Sequence, residues 1–351
     1  MTISIMPLSR SGLIRRIQSG LAKLDRFPQR RIHVLPFQRQ PDAAGATREM
    51  LFLAKPELCG RGVDLPNVLD LALTGLEQRG YQITGVSLIP AAYIAEHHVA
   101  EKHYGAIARI YTRGTQALSA EGRAAFNAAF GLPVEKANVL GGGQIVEQGL
   151  LSGRELSDLW LDPAVPKNVK LAPGTYAARR KIGNNDVFIL NGFAWGLLQR
   201  FVSPGNKVIA LGIASQSGNS ANWHKMRNVF LGATDPTKAA PGSLRRQLLD
   251  YRAELGLGTI DGSCNGGHLS AGPLEGLAEL KNWFGLPFAR TAFGNELLRR
   301  GLSLSAISWL LSNPTVPSVS VKPLFDLTEC QEPGAVAGLA MLAVAARREA
   351  L

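Results

Sequence analysis

Apolar positions change their period several times along the chain, and each change marks an element. Met50-Leu51-Phe52-Leu53-Ala54 is an uninterrupted apolar run of strand length, as expected of a strand covered on both faces. Between Pro66 and Arg79 the apolar residues Val68, Leu69, Leu71, Leu73 and Leu76 follow helical spacing, and Gly80 supplies a helix stop. Tyr81 to Leu88 alternates as a strand does, and Ile94 to Tyr104 returns to helical spacing. Further on, Phe193 to Val202 predicts a helix, Val208 to Ile213 a short buried strand, Pro241 to Tyr251 a basic turn and helix, and Pro273 to Phe284 another helix. From Gly285 onward the pattern predicts an amphipathic helix near Glu296 to Leu311 and an alanine-rich one near the C-terminus.

Residues 105–190 interrupt this series with Gly141-Gly142-Gly143, several prolines and short apolar segments between polar loops, which is the pattern of an insertion with some structure of its own. The remaining order is strand, helix, strand, helix, insertion, strand, loop, strand, helix. It predicts an α+β fold, a ferredoxin-like antiparallel sheet covered by helices, with an inserted subdomain. The expected organisation is a basic N-terminal extension over 1–46, ending in the loop-like Pro41 to Ala46. A core follows over 47–104 and 191–284, split by the insertion at 105–190, with a helical extension over 285–351.

Composition narrows the class. Nearly half of the 351 residues are apolar (46%), enough for a substantial core, yet charged residues or glycine break every apolar run before the roughly 18 to 20 residues of a membrane span. The three cysteines, Cys59, Cys264 and Cys330, are far apart and lack CxxC spacing, which favours a reducing compartment and a cytoplasmic location. Arg10, Arg15, Arg16, Arg26, Arg30, Arg31 and Arg39 against the single acid Asp25 read either as a basic tail or amphipathic helix or as an organelle transit peptide. A net charge of +11 implies polyanionic partners, whether nucleic acid, nucleotide phosphates or an anionic surface. The arginines are dispersed and no aromatic recognition motif or zinc-finger spacing accompanies them, which argues against a dedicated nucleic-acid binder.

The segment that carries chemistry is Asn265-Gly266-Gly267-His268-Leu269-Ser270, with Glu279 eleven positions after the histidine and then Trp283-Phe284. A histidine attacks phosphorus only through a ring nitrogen with its lone pair available, so another group must fix the proton on the second nitrogen. Glu279, on a helix running back past the histidine, is the candidate for that part. In isolation, a histidine in a glycine-rich loop is more often structural.

Other motifs occur in a meaningful order. Lys55-Pro56-Glu57 precedes Arg61-Gly62, and His103-Tyr104 follows on the next helical stretch. Phe193 then precedes Ser203-Pro204-Gly205. Gly232-Ala233-Thr234-Asp235-Pro236, Pro241-Gly242-Ser243-Leu244-Arg245 and the Asn265–His268–Ser270 set complete the series. This ordered set resembles the nucleoside diphosphate kinase family. The resemblance implies a ping-pong phosphotransferase that moves the terminal phosphate of ATP or another nucleoside triphosphate through a phosphohistidine to a nucleoside diphosphate. It implies catalytic parts for His268, Glu279 and Tyr104. Arg245 and Thr234 would hold the transferred phosphate, Lys55 and Asn265 would contact sugar hydroxyls and phosphates, and Phe193 would stack on the base. Mg²⁺ would bridge phosphate oxygens through water and substrate, with no metal cage of protein ligands, and the chain would form a homo-oligomer with no membrane partner.

The chain also departs from the family pattern. Where the family has an arginine six positions before the loop threonine, Asn228 stands, with Arg227 one place earlier; a one-residue bulge would bring Arg227 into the nucleotide site. Ala271 replaces an acid and Leu269 a glycine. Ile260-Asp261-Gly262-Ser263 offers a second alignment, in which Asp261 takes the histidine's place. The insertion enters just before Phe193 and is read either as a lid over the base that narrows the acceptor range or as an outer flap or interface. Two other functions stay open at this point: a kinase of the same fold acting on an unusual nucleotide or metabolite, and a non-catalytic nucleotide- or nucleic-acid-binding protein.

Overall fold

The computed structural model describes residues 9–38 and 47–349; Arg39 and the loop expected at Pro41 to Ala46 lie outside the described residues. The strands in chain order are β1 (Ile32–Leu35), β2 (Glu49–Ala54), β3 (Tyr81–Pro90), β4 (Val139–Gly141), β5 (Val169–Ala172), β6 (Thr175–Ile182), β7 (Asn185–Leu190), β8 (Lys207–Ser215) and β9 (Gly267–Leu269). The chain forms two compact units, one from Met1–Glu96 with Pro204–Leu351 and one from His97–Ser203.

The first unit is built on a five-stranded antiparallel sheet in the order β1-β3-β8-β2-β9. All six residues of β2 are buried. Its alternate side chains Met50, Phe52 and Ala54 share one apolar cluster with the helices Arg10–Leu24 and Leu65–Glu77 and with Ile209, Leu211 and Ile213 of β8. The helix Pro273–Phe284 packs along β2, where Gly276 allows a close approach: a Cβ there would lie 3.2 Å from the Glu49 carbonyl oxygen. That approach sets where the next turn of the helix, bearing Glu279, meets the sheet.

The boundaries differ from those expected of the sequence. Residues 10–35 are built into the first unit, because Leu13, Ile14, Ile17, Leu21 and Leu24 are buried in the main cluster and Ile32–Leu35 is an edge strand of the sheet. The arginines of the Arg10–Leu24 helix lie on its outer face, and the apolar stripe beneath them decides its place. Arg10 also ties its helix to the next through Asp70 and Glu77. Residues 285–349 contain helices whose apolar faces close on Leu274 and Leu277 in a second cluster. The helix expected from Ile94 to Tyr104 is broken at His98, whose φ is 51°, and that from Glu296 to Leu311 is broken at Gly301, whose φ is 87°.

The second unit is wider than the insertion expected at 105–190. Its sheet has the order β4-β7-β6-β5, with β4 parallel to β7 and the other pairs antiparallel. Alternation along β7 feeds two cores: Phe188 and Leu190 join Ile110 and Phe126, while Val187 and Ile189 join Ile145, Leu156 and Trp160. Gly141-Gly142-Gly143, read from sequence as loop, ends a strand and opens the helix Gly142–Glu147. A Cβ on Gly141 would lie 2.3 Å from the Tyr111 carbonyl oxygen, so the glycines serve packing.

If the Arg10–Leu24 helix is part of the core, Ile17→Ala should lower unfolding stability by about 2–5 kcal/mol, read as a shifted urea midpoint. An unchanged midpoint would mean that the helix contributes nothing to the folded unit.

Candidate functional site

In the first unit, the end of β2 and the start of β9 are joined by a small polar network. The Lys55 N–H donates to the Gly266 carbonyl at 2.9 Å, and the Glu57 carboxylate accepts the Gly266 N–H at 2.9 Å. The Lys55 ammonium donates to the Asn265 side-chain oxygen at 2.7 Å, both groups being buried. Gly266 has a φ of 78°, and a Cβ there would lie 2.6 Å from Leu248, so only glycine suits this turn. The Asn265 amide donates in turn to the Thr234 carbonyl at 3.1 Å. Lys55, Asn265 and the Thr234 loop are thereby brought together, with Thr234 itself exposed.

Arg245 fastens the same loop from below. Its guanidinium donates to the carbonyls of Gly232 and Gly267, each at 2.9 Å. The arginine is buried, and its charge is felt one residue further along β9, at His268.

His268 pairs with Leu53 in the sheet register. Its Nε2 lies 2.6 Å from Glu279 Oε1, and Ser270 Oγ donates to Glu279 Oε2 at 2.5 Å. Ser270 is positioned by the Leu51 N–H, which donates to its Oγ at 2.9 Å, and by Trp223, whose Nε1 donates to its carbonyl at 2.9 Å. A carboxylate accepting at Nε2 selects the tautomer with the proton there and the lone pair on Nδ1. The His268 side chain keeps 20% exposure, but its surroundings hold its pKa well below 6.5, first through burial and then through the charges of Lys55, Arg227 and Arg245. The ring is therefore neutral at pH 7, the state that a nucleophile requires.

Arg227 lies in a π-helical turn, Met226–Leu231, in which the Gly232 N–H donates to the Arg227 carbonyl at 3.0 Å. Such a turn holds one residue more than an α-helical one; Asn228 itself is exposed. Arg227 pairs with Glu329 at 3.0 Å. Asp261, the rival to His268, is exposed and accepts the N–H groups of Ser263 and Cys264, each at 2.7 Å. It caps its own loop.

Tyr104 and Phe193 belong to the second unit. Tyr104 makes edge contacts with His103 and Phe201, with centroids 4.6 and 5.6 Å away. Phe193 packs between Trp160 at 5.9 Å and Tyr176 at 5.6 Å. Each ring is a packing aromatic of its own unit, and its assignment to a nucleotide site rests on the sequence resemblance.

Sequence reasoning did not single out Glu275. It lies one helical turn before Glu279 and accepts the Ala271 N–H at 3.1 Å. Burial, and then the neighbouring Glu279 charge, push its pKa up to about 8, against the pull of Arg227. The signal was present as an i, i+4 pair of acids on one helix face. The part played by Trp223 left no signal, because a hydrogen bond to a residue 47 positions away has no local pattern.

Solved structures to which the chain is similar include two kinases. One is a nucleoside-diphosphate kinase from Borrelia burgdorferi with bound vanadate and ADP, at 17% sequence identity, covering 68% of this chain and 88% of that one with a TM-score of 0.31. The other is an NDP kinase from Pyrobaculum aerophilum, at 14% identity, covering 68% of this chain and 96% of that one with a TM-score of 0.34. No protein-family profile matches the chain, and no curated protein matches it.

Glu275 makes stability depend on pH. Its folded pKa of about 8 lies above the ordinary 4.5, so between these values the folded state binds the extra proton. Its contribution is complete below pH 4.5 and is lost as pH rises through 8. In Glu275→Gln the fall in unfolding free energy across that window should flatten, as measured by urea titrations at stepped pH; an unaltered slope would place the titration elsewhere.

Proposed function

We propose that the first unit is a nucleotide phosphotransferase in which His268 carries the phosphoryl group. The observation that carries this reading is a neutral imidazole, anchored at Nε2 by a buried carboxylate and lying in the field of three cations. An imidazole kept only as a structural hydrogen-bonder has no need of Lys55, Arg227 and Arg245 around it, whereas moving a phosphoryl group depends mainly on positioning and on neutralising its oxygens. The strand order β3-β8-β2-β9, with a helix between β2 and β3 and another after β8, supports the ferredoxin-like reading of the sheet.

In the proposed step the Nδ1 lone pair attacks the terminal phosphorus of a nucleoside triphosphate. An N–P bond forms, the P–O bond to the diphosphate breaks, and its electron pair leaves with the diphosphate oxygen. The ring then carries a positive charge, with the Nε2 proton still held by Glu279, whose carboxylate stabilises it. Ser270 keeps that carboxylate in place through its second oxygen. A nucleoside diphosphate reverses the step: its terminal oxygen attacks phosphorus and the N–P electrons return to the ring. Lys55 and Arg227 would neutralise phosphate oxygens, and Asn265 and Thr234 would contact phosphates or sugar hydroxyls. Arg245 acts by its charge and by holding the loop.

The side chains meeting at Asn265 are cationic and amide groups, so they suit a Mg²⁺ carried in on the phosphate oxygens and water of the substrate better than one held in a carboxylate cage. Bound in that way, the ion would supply further charge neutralisation.

Incubation with γ-labelled ATP and Mg²⁺ should leave an acid-labile, alkali-stable label on the wild-type protein and none on His268→Gln. Glu279→Gln should slow labelling at least about tenfold, because the ring loses the group that orients its proton. A wild-type protein that takes up no label but binds nucleotide would be a binding protein and not an enzyme.

A further inference from the structure

Arg227 meets a carboxylate that belongs to none of the motifs. Its Nη2 lies 3.0 Å from Glu329 Oε1, and Glu329 comes from residues 285–351, beyond the part of the chain that carries the family resemblance. The segment bearing it is fastened. The Cys330 N–H donates to the Ala271 carbonyl at 2.8 Å, in the turn directly after β9. The Thr328 carbonyl oxygen lies so near Gly272 that a Cβ there would be 2.5 Å away. Arg48 holds Glu332 at 2.7 Å. Cys330 has a φ of 58°, a conformation that a residue with a side chain keeps only where its neighbours enforce it.

The ion pair itself is exposed in part, with 30% of the Arg227 side chain and 46% of the Glu329 side chain accessible. Half-exposed pairs are weak. A phosphate, with more charge and oxygens spaced for both arms of a guanidinium, is the stronger partner. Arg227 is also one of the three cations whose charge reaches His268, so an anion bound at this arginine lies within the field of the candidate nucleophile.

We propose that Glu329 occupies Arg227 in the place of a substrate phosphate, so that a nucleoside di- or triphosphate must displace this carboxylate to engage the arginine. The inference rests on the phosphotransferase reading above. It makes the C-terminal segment a competitor built into the chain: the turn at 328–332 presents a carboxylate when the site is empty and releases the arginine when a phosphate arrives. Ligands whose phosphates reach Arg227 gain from the exchange, and shorter ones do not.

Calorimetric titration of the full chain with ADP tests this in the wild type, Glu329→Gln, Arg227→Ala and the double variant. Glu329→Gln should bind ADP roughly two- to five-fold more tightly, the range expected for release from a half-exposed pair. Arg227→Ala should weaken binding, and in that background Glu329→Gln should add nothing, since the two act through one contact. Glu329 is half exposed, and an unchanged thermal midpoint will show that the variant is folded. Binding by Glu329→Gln but not by the wild type would support the proposal in a stronger form. Equal or weaker binding by Glu329→Gln overturns it while leaving the phosphotransferase reading intact, because Glu329 would then be idle or would position Arg227. Failure of every form to bind ADP overturns both.

Discussion

A buried carboxylate governs the candidate site. Glu279 is 4% exposed, and an ionised carboxylate so far from water is tolerated only when both oxygens are satisfied. Ser270 and His268 satisfy one each, and both lie on or beside β9, so the helix bearing Glu279 and the strand bearing His268 can approach in only one way. Gly276 allows the approach, Leu51 and Trp223 fix Ser270, and the fully buried β2 forms the floor between them. Removing the His268 ring or the Ser270 hydroxyl would leave a carboxylate oxygen without that partner, which costs more than the bond contributes when made.

Two opposed electrostatic demands meet around that carboxylate. Burial, and then the charges of Lys55, Arg227 and Arg245, hold the His268 pKa well below 6.5. Glu275 lies one helical turn before Glu279, and burial first, then the neighbouring carboxylate, hold its proton through neutral pH. Arg227 is drawn on from three directions: its charge acts on His268, it favours ionisation of Glu275, and it is paired with Glu329.

The arrangement also shows what the C-terminal helices do in the first unit. Their apolar faces close over Leu274 and Leu277, on the helix that carries Glu279, and the turn at 328–330 seals Ala271 and Gly272. The extension supports the helix from its outer side, as β2 supports it from within. Among the described residues no helix is long and apolar enough to cross a membrane, and the alanine-rich final helix buries Val336, Ala337, Ala340, Ala343 and Val344 in the second cluster.

Much of this was determined by sequence alone. The apolar run at Met50–Ala54, the alternation from Tyr81 and the helical stripes at Pro66 and Pro273 each specify an element, because a two- or 3.6-residue period leaves one way to bury the apolar face. The pairing of His268 with Glu279 was legible for a related reason: a helix that returns along its strand brings a residue eleven positions on back beside it. Other features needed the tertiary structure. The Arg10–Leu24 helix belongs to the core although its composition reads as a basic tail, since cations on the outer face of a docked helix say nothing about the inner one. The proton on Glu275, the Trp223 bond and the Glu329 pair depend on charges and donors from distant segments. No local period encodes such meetings; only the closed chain, with water excluded between the segments, decides which groups face one another and at what energy.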